Sequence, residues 1–566
     1  MKNYPLYETE DVKDLKELVE NCAKKYGDKV AFKYRKGNKE LEKTYVEFFE
    51  DVKYLGTVFT KRNIKDSHIA VIGENSYEWI VTYFAALATG NVIVPFDKDL
   101  NPREILWLLQ EVDCKVFVFS AAYQKAAEEV EKNMKTPFMS IVMEDSSSKF
   151  IIFNNLIKEG KEAISLGNSE FSNIKINKEQ LAAIHYTSGT TGTSKGVMLT
   201  HKNLMSNVIG GAKNIESYNP SVLILPIHHT FGMTAGVIGM LYTGTCICIN
   251  SSMKRIAGDL KKYKPKSLFL VPLYIESLYN TIWRTAKSNN KEKTLRSICR
   301  ISDALLCVGI DLRKYFFKEV LESFGGELKL MVCGGAHIDP KYIKGFRSFG
   351  VNVLNGYGIT ECSPIVAVNK NKQSQHFRPY NYYKDGSVGT VLDGCEVKID
   401  NPNEDGEGEI LVRGDSVMKG YYKNEGLTEK AFCDNWFKTG DIGRLDKEGF
   451  LYITGRSKNV IILNNGKNIY PEELEMHIIN IPFVKEVLVY SEKDEKNNQM
   501  CIVAEVYVDN EVIKDKNPQD VEKELSEKID EINRRLPYYK NIGKYKIREE
   551  EFKKTSSKKI IRDGRN

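Results

Sequence analysis

The chain has 566 residues, of which 42% are hydrophobic and 28% charged, and this composition is that of a folded protein with more than one domain. Its 82 Lys and Arg against 76 Asp and Glu leave a net charge of only +6, which argues against a nucleic-acid partner. Eleven cysteines with no Cys-x-x-Cys pair argue against a zinc site or a disulfide framework, and they predict reduced thiols in a cytoplasmic protein.

Two stretches bear on membranes. The amino-terminal residues have mixed charge and no apolar core, so no secretion signal is expected. Residues 230–253 carry no charge, but four glycines interrupt them, which favours a buried helix followed by a strand at 245–249 over a transmembrane helix. Peripheral contact with a membrane stays open.

The first third of the chain alternates between apolar strands and helices. Residues 69–72, 91–95 and 115–119 have the pattern of strands, and 76–89 and 102–112 that of helices. Such alternation predicts a mostly parallel sheet covered by helices on both faces.

The apolar run at 181–185 leads into Tyr-Thr-Ser-Gly-Thr-Thr-Gly-Thr-Ser-Lys at 186–195. Glycines can turn backbone N–H groups towards an anion, and the hydroxyls and the lysine add donors and charge, so this loop suits a polyphosphate. It is not the P-loop of NTPases, because Ser194 stands where a glycine is needed and 196–200 favours a second strand before a helix near His201. A plain surface loop is the alternative. The candidate phosphate ligands are Thr187, Ser188, Gly189, Thr190, Thr191, Gly192 and Lys195.

A strand at 223–227 ends at His228 and His229. A histidine at a strand end is most often structural, although either ring could touch a substrate. Metal ligation is disfavoured because the sequence shows no third ligand nearby.

Two glycine turns follow apparent parallel strands, where open α/β sheets hold ligands. Tyr357 offers an aromatic face and Asn355 an amide, which suits a purine; two ordinary turns with a core tyrosine are the alternative. The turn residues are Gly334, Gly335 and Ala336 after the first strand, and Asn355, Gly356, Tyr357 and Gly358 after the second. Just beyond them, the Glu361 carboxylate beside the Thr360 hydroxyl could hold Mg²⁺, or could simply stabilise a helix N-terminus.

From residue 386 the pattern becomes that of β-structure. Asp441 follows Thr-Gly, where an aspartate can chelate a sugar diol or be an ordinary turn residue. The polar joint Gly-Arg-Ser-Lys-Asn at 455–459 marks a domain boundary before a compact module. The tail, 541–566, has nine Lys and Arg against four Asp and Glu, and we expect a solvated terminus.

Taken in order, these motifs resemble the adenylate-forming (AMP-binding) superfamily from about residue 30 to residue 562. The helical stretch at 283–325 and the Asn-Ile-Tyr-Pro run at 468–471 look most like long-chain fatty-acid–CoA ligases. The resemblance implies an α/β fold with a large N-terminal domain of parallel-sheet layers at 1–456, including a β-rich subdomain at about 386–456. A small, mobile C-terminal α+β domain at 457–566 would carry a catalytic lysine.

The resemblance also implies roles for the candidate residues. The hydroxyl loop would grip the β- and γ-phosphates of ATP, the two glycine turns would enclose adenine, and Asp441 would hold the ribose with Arg456 nearby. Thr360 would contact the α-phosphate, Glu361 would carry Mg²⁺, and His229 would border the acyl carboxylate.

The C-terminal residues would divide the reaction into two steps. Lys559 would bridge the carboxylate and the α-phosphate, Lys458 would be the hinge, and Gly466 would lie where the pantetheine of coenzyme A enters. The family's tail has a proline and a glycine where this chain has Lys553 and Lys558, so the choice between Lys558 and Lys559 stays open.

The implied activity is ATP-dependent ligation of a carboxylic acid, expected to be a medium- or long-chain fatty acid, to coenzyme A through an acyl-AMP. A ligase that loads the phosphopantetheine of a carrier protein is the nearest alternative. A luciferase-like oxygenase and a nucleotide-binding regulatory protein are more distant alternatives.

Overall fold

The computed structural model describes residues 4–562 apart from 38, 135, 137, 145–148, 188–193, 251, 372–383, 463–467, 494–499, 515 and 555–559. The chain forms two compact units. The first is Met1–Glu396 with Val412–Phe437, and the second is Val397–Leu411 with Lys438–Asn566. The predicted boundary at residue 456 stays a prediction; the second unit starts earlier and includes 438–456.

An eight-stranded sheet forms one layer of the first unit. Its strands Val92–Pro95, His68–Ile72 and Cys114–Phe119 pair in parallel, which confirms the predicted strand–helix alternation. In spatial order the strands are Gly420–Tyr421, Lys195–Thr200, Leu181–Thr187, Val92–Pro95, His68–Ile72, Cys114–Phe119, Met139–Val142 and Ile151–Ile152.

A nine-stranded sheet forms a second layer of the same unit. Its strands Ser221–Leu223, Ser267–Leu270 and Leu330–Cys333 pair in parallel and are fully buried, as expected of a parallel sheet covered on both faces. In spatial order the strands are Thr390–Val391, Ile365–Val368, Asn352–Gly358, Leu330–Cys333, Ser267–Leu270, Ser221–Leu223, Ile247–Ile249, Val30–Lys36 and Lys39–Thr44.

Helices cover and connect these sheets, and their ends follow capping rules. At helix Pro102–Glu111, Asn101 accepts bonds from the backbone N–H of Arg103 and Glu104 (3.0 and 3.1 Å), while the Glu104 carboxylate accepts from the Asn101 N–H (2.9 Å). The cap contributes about 1 kcal/mol. Truncating its buried Leu109 to alanine would cost about 2–5 kcal/mol, so packing rather than capping dominates this helix.

The helices of the first unit include the predicted run at 283–325. The uncharged segment forms the π-helix Phe231–Ile238, the short helix Gly239–Tyr242 and the strand Ile247–Ile249, as predicted. No described helix combines the length and apolar character that crossing a membrane requires. The other helices are Leu15–Tyr26, Tyr45–Lys61, Tyr77–Ala88, Gln124–Asn133, Phe153–Ser165, Glu170–Asn173, His201–Asn214, Ile256–Tyr263, Pro272–Ser288, Glu292–Cys307, Arg313–Phe316, Lys318–Glu322, Pro340–Ser348 and Glu425–Ala431.

The second unit has its own apolar core under a three-stranded sheet. Leu474, Ile478 and Leu525 come from its helices and pack on Val489 and Ala504 of the sheet. The strands are Val484–Lys493, Met500–Val508 and Lys544–Arg548, the helices are Pro471–Ile478, Asn510–Ile513 and Pro518–Asn533, and a small ladder joins Ile461–Ile462 to Asn468–Ile469. The remaining strands of the β-rich region are Cys395–Asp400, Gly408–Gly414, Phe432–Cys433, Trp436–Leu445 and Leu451–Arg456.

The basic tail is more ordered than the sequence predicts. Lys544–Arg548 pairs in parallel with Met500–Val508, so this stretch is an ordered strand, although Lys544, Lys546 and Ile547 stay exposed as expected of a solvated terminus. Lys546 contacts Glu492, and Arg548 contacts Glu505 at 3.3 Å, so acidic side chains of neighbouring strands pair with the tail's charges. All eleven cysteines are free thiols, as predicted.

Candidate active site

A hairpin presents the hydroxyl loop. Strands Leu181–Thr187 and Lys195–Thr200 are antiparallel, and Thr187 pairs directly with Lys195. The second strand and the helix beginning at His201 confirm the departure from the NTPase P-loop. The predicted phosphate ligands Ser188, Gly189, Thr190, Thr191 and Gly192 lie outside the described residues. The two residues that flank this loop, Thr187 and Lys195, are therefore adjacent across the hairpin.

Tyr421 connects that base to the candidate Mg²⁺ ligand. The Lys195 ammonium lies 5.5 Å from the centre of the Tyr421 ring, and the Tyr421 hydroxyl donates to Glu361 Oε1 at 2.9 Å. Burial and the adjacent Glu361 carboxylate raise the pKa of Tyr421. Tyr421 is therefore a permanent hydrogen-bond donor to Glu361, although no local sequence motif points to it.

The turn that carries Thr360 and Glu361 is held by hydrogen bonds from two other segments of the chain. Met418 N donates to the Glu361 carbonyl (2.8 Å), and the Asn207 side chain donates to the Cys362 carbonyl (3.0 Å). Gly358 is required where the turn begins, because a Cβ there would lie 2.2 Å from the Pro364 carbonyl oxygen. These contacts fix the turn before any ligand binds.

The surroundings of Glu361 fit a hard cation. Among the described residues, neither a lysine nor an arginine forms an ion pair with Glu361, and Tyr421 is the single donor to its carboxylate. A half-buried carboxylate that has no cation partner in the described part of the chain, next to the Thr360 hydroxyl, offers the oxygen ligands that Mg²⁺ prefers.

The two glycine turns lie side by side. Strands Leu330–Cys333 and Asn352–Gly358 are parallel, with Cys333 opposite Asn355. A Cβ on Gly334 would lie 3.3 Å from the Phe231 ring, and a Cβ on Gly356 would lie 3.1 Å from Val368. Neither glycine has open space for a larger side chain, so both allow the close packing of their turns.

The remaining turn residues differ in their environment. Gly335 has a φ of +88°, which favours glycine, and Ala336 is exposed. Tyr357 is half-buried. Asn355 is buried and donates its amide to the Ser387 carbonyl (3.2 Å), while its Oδ1 has no partner among the described residues. The side-chain amide nitrogen is thus already bonded within the protein.

The paired histidines have a carboxylate neighbour that the sequence analysis missed. His228 Nε2 lies 3.4 Å from Asp97 Oδ1, and the His228 and His229 ring centres are 4.2 Å apart. Asp97, His228 and His229 each offer one ligand atom, all within 4.8 Å of one another. The premise that no third ligand is nearby is therefore wrong.

Burial favours the neutral forms of His185 and His228. It lowers the pKa of His185 to about 4, and the His185 Nδ1 lies 3.2 Å from the His228 carbonyl. Burial, followed by the neighbouring His229, also lowers the pKa of His228. His229 is half-buried and lies two residues before the π-helix that begins at Phe231. It is therefore close in the chain to an apolar segment.

In the second unit, Asp441 and Arg456 face each other across an antiparallel pair. Arg456 Nε donates to Asp441 Oδ1 at 3.0 Å, and Asp441 is almost fully buried. Thr439 Oγ1 accepts from the Asp441 N–H (3.0 Å) and donates to the Ile410 carbonyl (2.7 Å). The Thr-Gly-Asp turn thus fixes the carboxylate beside a cation, as expected of these two residues.

The predicted hinge residue Lys458 and the segment that contains Lys558 and Lys559 also belong to the second unit. Lys458 is exposed in the turn Ser457–Asn459, and Gly466 lies outside the described residues. Lys558 and Lys559 also lie outside them, but Lys554 and Ile560 on either side form an antiparallel bridge. The candidate catalytic lysine therefore belongs to a five-residue connection with paired ends.

Comparison with known proteins identifies the family. The AMP-binding enzyme profile matches residues 19–422, and the profile of the AMP-binding enzyme C-terminal domain matches 458–564. The chain belongs to the AMP-binding enzyme family. It is an AMP-forming acid–thiol ligase, and the enzymes of this family use ATP.

Curated relatives are similar over most of the chain. The long-chain-fatty-acid–CoA ligase FadD15 of Mycobacterium bovis is 28% identical over 444 residues, covering 74% of this chain and 70% of that protein. The long-chain-fatty-acid–CoA ligase 5 of Rattus norvegicus is 28% identical over 509 residues, covering 83% and 72%. ATP-bound MatB from Rhodopseudomonas palustris shares the fold, with a TM-score of 0.73, 21% identity and coverage of 97% and 98%.

Proposed function

We propose that this ligase activates a medium- or long-chain fatty acid as an acyl-adenylate, releases pyrophosphate, and transfers the acyl group to the thiol of coenzyme A. The observation that carries the proposal is the continuous arrangement of Lys195, Tyr421 and Glu361 between the hydroxyl loop and the Thr360 turn. It links the base of the proposed triphosphate-binding loop to the proposed cation ligand. A regulatory nucleotide-binding protein has no need of this connection.

The first half-reaction brings two negative groups together. The acid's carboxylate must attack the α-phosphate of ATP, so the site has to hold both groups in line and neutralise charge. Mg²⁺ held by Glu361 would supply positive charge at the phosphates. In this proposal Lys195 and the hydroxyl loop would receive the leaving pyrophosphate, Thr360 would orient the α-phosphate, and Lys559 would neutralise the attacking carboxylate.

The second half-reaction requires the lysine to leave. Asp441 and Arg456 hold the ribose side of the nucleotide during the first step. Rotation about Lys458 then withdraws Lys559 and brings Gly466 to the path that the pantetheine follows.

The wall beside His229 supports a fatty-acid substrate. Phe231 follows His229 by two residues, is half-buried, and contacts Phe269 edge to face, with ring centres 6.3 Å apart. The π-helix that begins at Phe231 is otherwise buried and uncharged. Such a wall favours an aliphatic chain and offers no cation to a second carboxylate. The names of the curated relatives support the same substrate class.

A pyrophosphate-release screen tests the proposal. The full chain, ATP and Mg²⁺ are combined with fatty acids of increasing length, an aryl acid and a dicarboxylic acid. Fatty acids are expected to give the highest kcat/KM, and Phe231→Asp is expected to lower kcat/KM more for the longer acids than for the shorter ones. Preference for the aryl or dicarboxylic acid would overturn the substrate assignment.

A separate experiment tests which thiol accepts the acyl group. One curated relative, AEE15 of Arabidopsis thaliana, is named a long-chain-fatty-acid–[acyl-carrier-protein] ligase and is 26% identical over 562 residues. Supplied acyl-AMP is offered to coenzyme A and to a phosphopantetheinylated carrier protein in parallel reactions. Faster thioester formation on coenzyme A is expected, and the reverse order would favour the carrier protein.

A further inference from the structure

Helix Glu292–Cys307 is apolar on two faces, and the protein core covers one of them. Leu295, Ile298 and Cys299 pack against the buried cluster beneath the nine-stranded sheet. Ile301 lies on another face and is 54% exposed, and Val308, seven residues later at the end of the helix, is 70% exposed. Core packing therefore explains the first face and leaves the second unexplained.

The chain after this helix adds to the uncovered face. Ile310 (47% exposed) and Leu312 (42%) follow Val308 at alternate positions, and Tyr315 is 80% exposed in the short helix Arg313–Phe316. Five large exposed apolar side chains within fifteen residues form a patch of the kind that marks an interaction surface.

The same segment is strongly basic. Residues 284–318 contain nine Lys and Arg against three Asp and Glu, a formal charge of +6, which equals that of the whole chain. Five exposed cations of this segment have no carboxylate partner among the described residues: Arg284, Lys287, Lys293, Arg300 and Lys314. The excess positive charge is therefore available to a partner.

We propose that this cationic apolar face, Ile301, Val308, Ile310, Leu312 and Tyr315 with the five cations, docks the protein on an anionic phospholipid bilayer. The loop at 308–312 enters the interfacial region, and the cations contact lipid phosphates. The charge opposes pairing of two copies through this face, because both copies would present the same sign. The surface does not depend on the proposed substrate.

Binding to vesicles tests the proposal with the full chain, in the absence of ATP and fatty acid. Vesicles of phosphatidylcholine alone are compared with vesicles that contain about one-third phosphatidylglycerol. We expect co-sedimentation with the anionic vesicles, and its loss at high salt. The double variant Val308→Asp/Ile310→Asp should weaken binding at least about tenfold. The matched control is Leu166→Asp, at an 88% exposed position elsewhere, which should leave binding unchanged.

Charge reversal provides an independent variant. Arg300→Glu/Lys314→Glu should also weaken anionic-vesicle binding at least about tenfold, whereas Lys430→Glu on another exposed helix should not. Equal binding to both vesicle types, or vesicle binding unaffected by either double variant, would overturn the proposal. Light scattering that shows loss of a dimer in the variants would assign the face to self-association instead.

Discussion

Replacing Arg562 by alanine should release the end of the chain that follows the candidate catalytic lysine. Arg562 Nη2 donates to both oxygens of Glu475 at 2.7 and 2.8 Å, and Nη1 donates to the Val489 carbonyl at 2.9 Å. The Arg562 and Glu475 side chains are 18% and 17% exposed. The pair therefore ties the end of the tail to the core of the second unit.

The size of the effect follows from this burial. Removing one partner of a buried ion pair typically costs about 3–5 kcal/mol, because the other charge stays buried without compensation. Since both side chains keep some solvent contact, we expect a loss of about 3 kcal/mol in the unfolding free energy of the second unit. That corresponds to a fall of roughly 10 °C in its melting temperature.

The loss of unfolding free energy in the Arg562→Ala variant should depend on pH. Burial raises the pKa of Glu475 from 4.5 to about 7, and Arg562 is the main group that opposes the rise. A carboxyl whose pKa is higher in the folded state contributes stability below pH 4.5 and loses that contribution as pH rises through about 7. Without Arg562 the folded pKa rises further, so the variant's deficit should be small in acid and largest above neutral pH.

Thermal unfolding across this pH range, together with separate half-reaction assays, measures both consequences. Adenylate formation should fall at least about tenfold because the turn bearing Lys559 loses one anchor, while thioester formation from supplied acyl-AMP should persist. The control is Lys528→Ala, which breaks the exposed pair with Glu531 and should change stability by less than about 0.5 kcal/mol. Identical melting curves for the two variants at every pH would refute the reasoning.

Two further substitutions test the first unit. Tyr421→Phe removes a hydrogen bond to a charged acceptor, which is worth about 1.5–3 kcal/mol. In a pyrophosphate-release assay this variant should lower kcat/KM for MgATP about tenfold, whereas the control Tyr422→Phe should leave it unchanged. Equal effects of the two variants would contradict the role of Tyr421 as a bridge between Lys195 and Glu361. Gly358→Ala would place a methyl group 2.2 Å from the Pro364 carbonyl oxygen and should reduce adenylate formation at least about tenfold. The control Gly426→Ala, where the added methyl group meets open space, should leave adenylate formation unchanged. Full activity of Gly358→Ala would contradict the fixed geometry of the Thr360 turn.

Local sequence predicted several contacts between the candidate site residues because the motifs lie at strand ends. The hairpin that brings Thr187 opposite Lys195, the adjacent glycine turns and the contact of Asp441 with Arg456 all follow from short stretches of sequence. Each needs only the pairing of strands that are neighbours in the sheet.

The residues that sequence reasoning missed come from distant strands. Tyr421 reaches Glu361 because a two-residue strand pairs with Lys195–Thr200 at the sheet edge, and Asp97 reaches His228 from the loop that follows strand Val92–Pro95 of the eight-stranded sheet. Neither register can be read from local patterns, since pairing between distant segments is set by tertiary packing. The tail strand Lys544–Arg548 was missed because its basic residues conceal a pairing that acidic neighbours stabilise.

The central claim is that one lysine serves the first half-reaction and withdraws for the second. Its most direct test measures acyl-AMP formation and thioester formation from supplied acyl-AMP separately in Lys559→Ala and Gly466→Trp. We predict that Lys559→Ala loses the first activity and keeps the second, with Lys558→Ala as the matched control, and that Gly466→Trp does the reverse. Equal loss of both half-reactions in both variants would contradict the account.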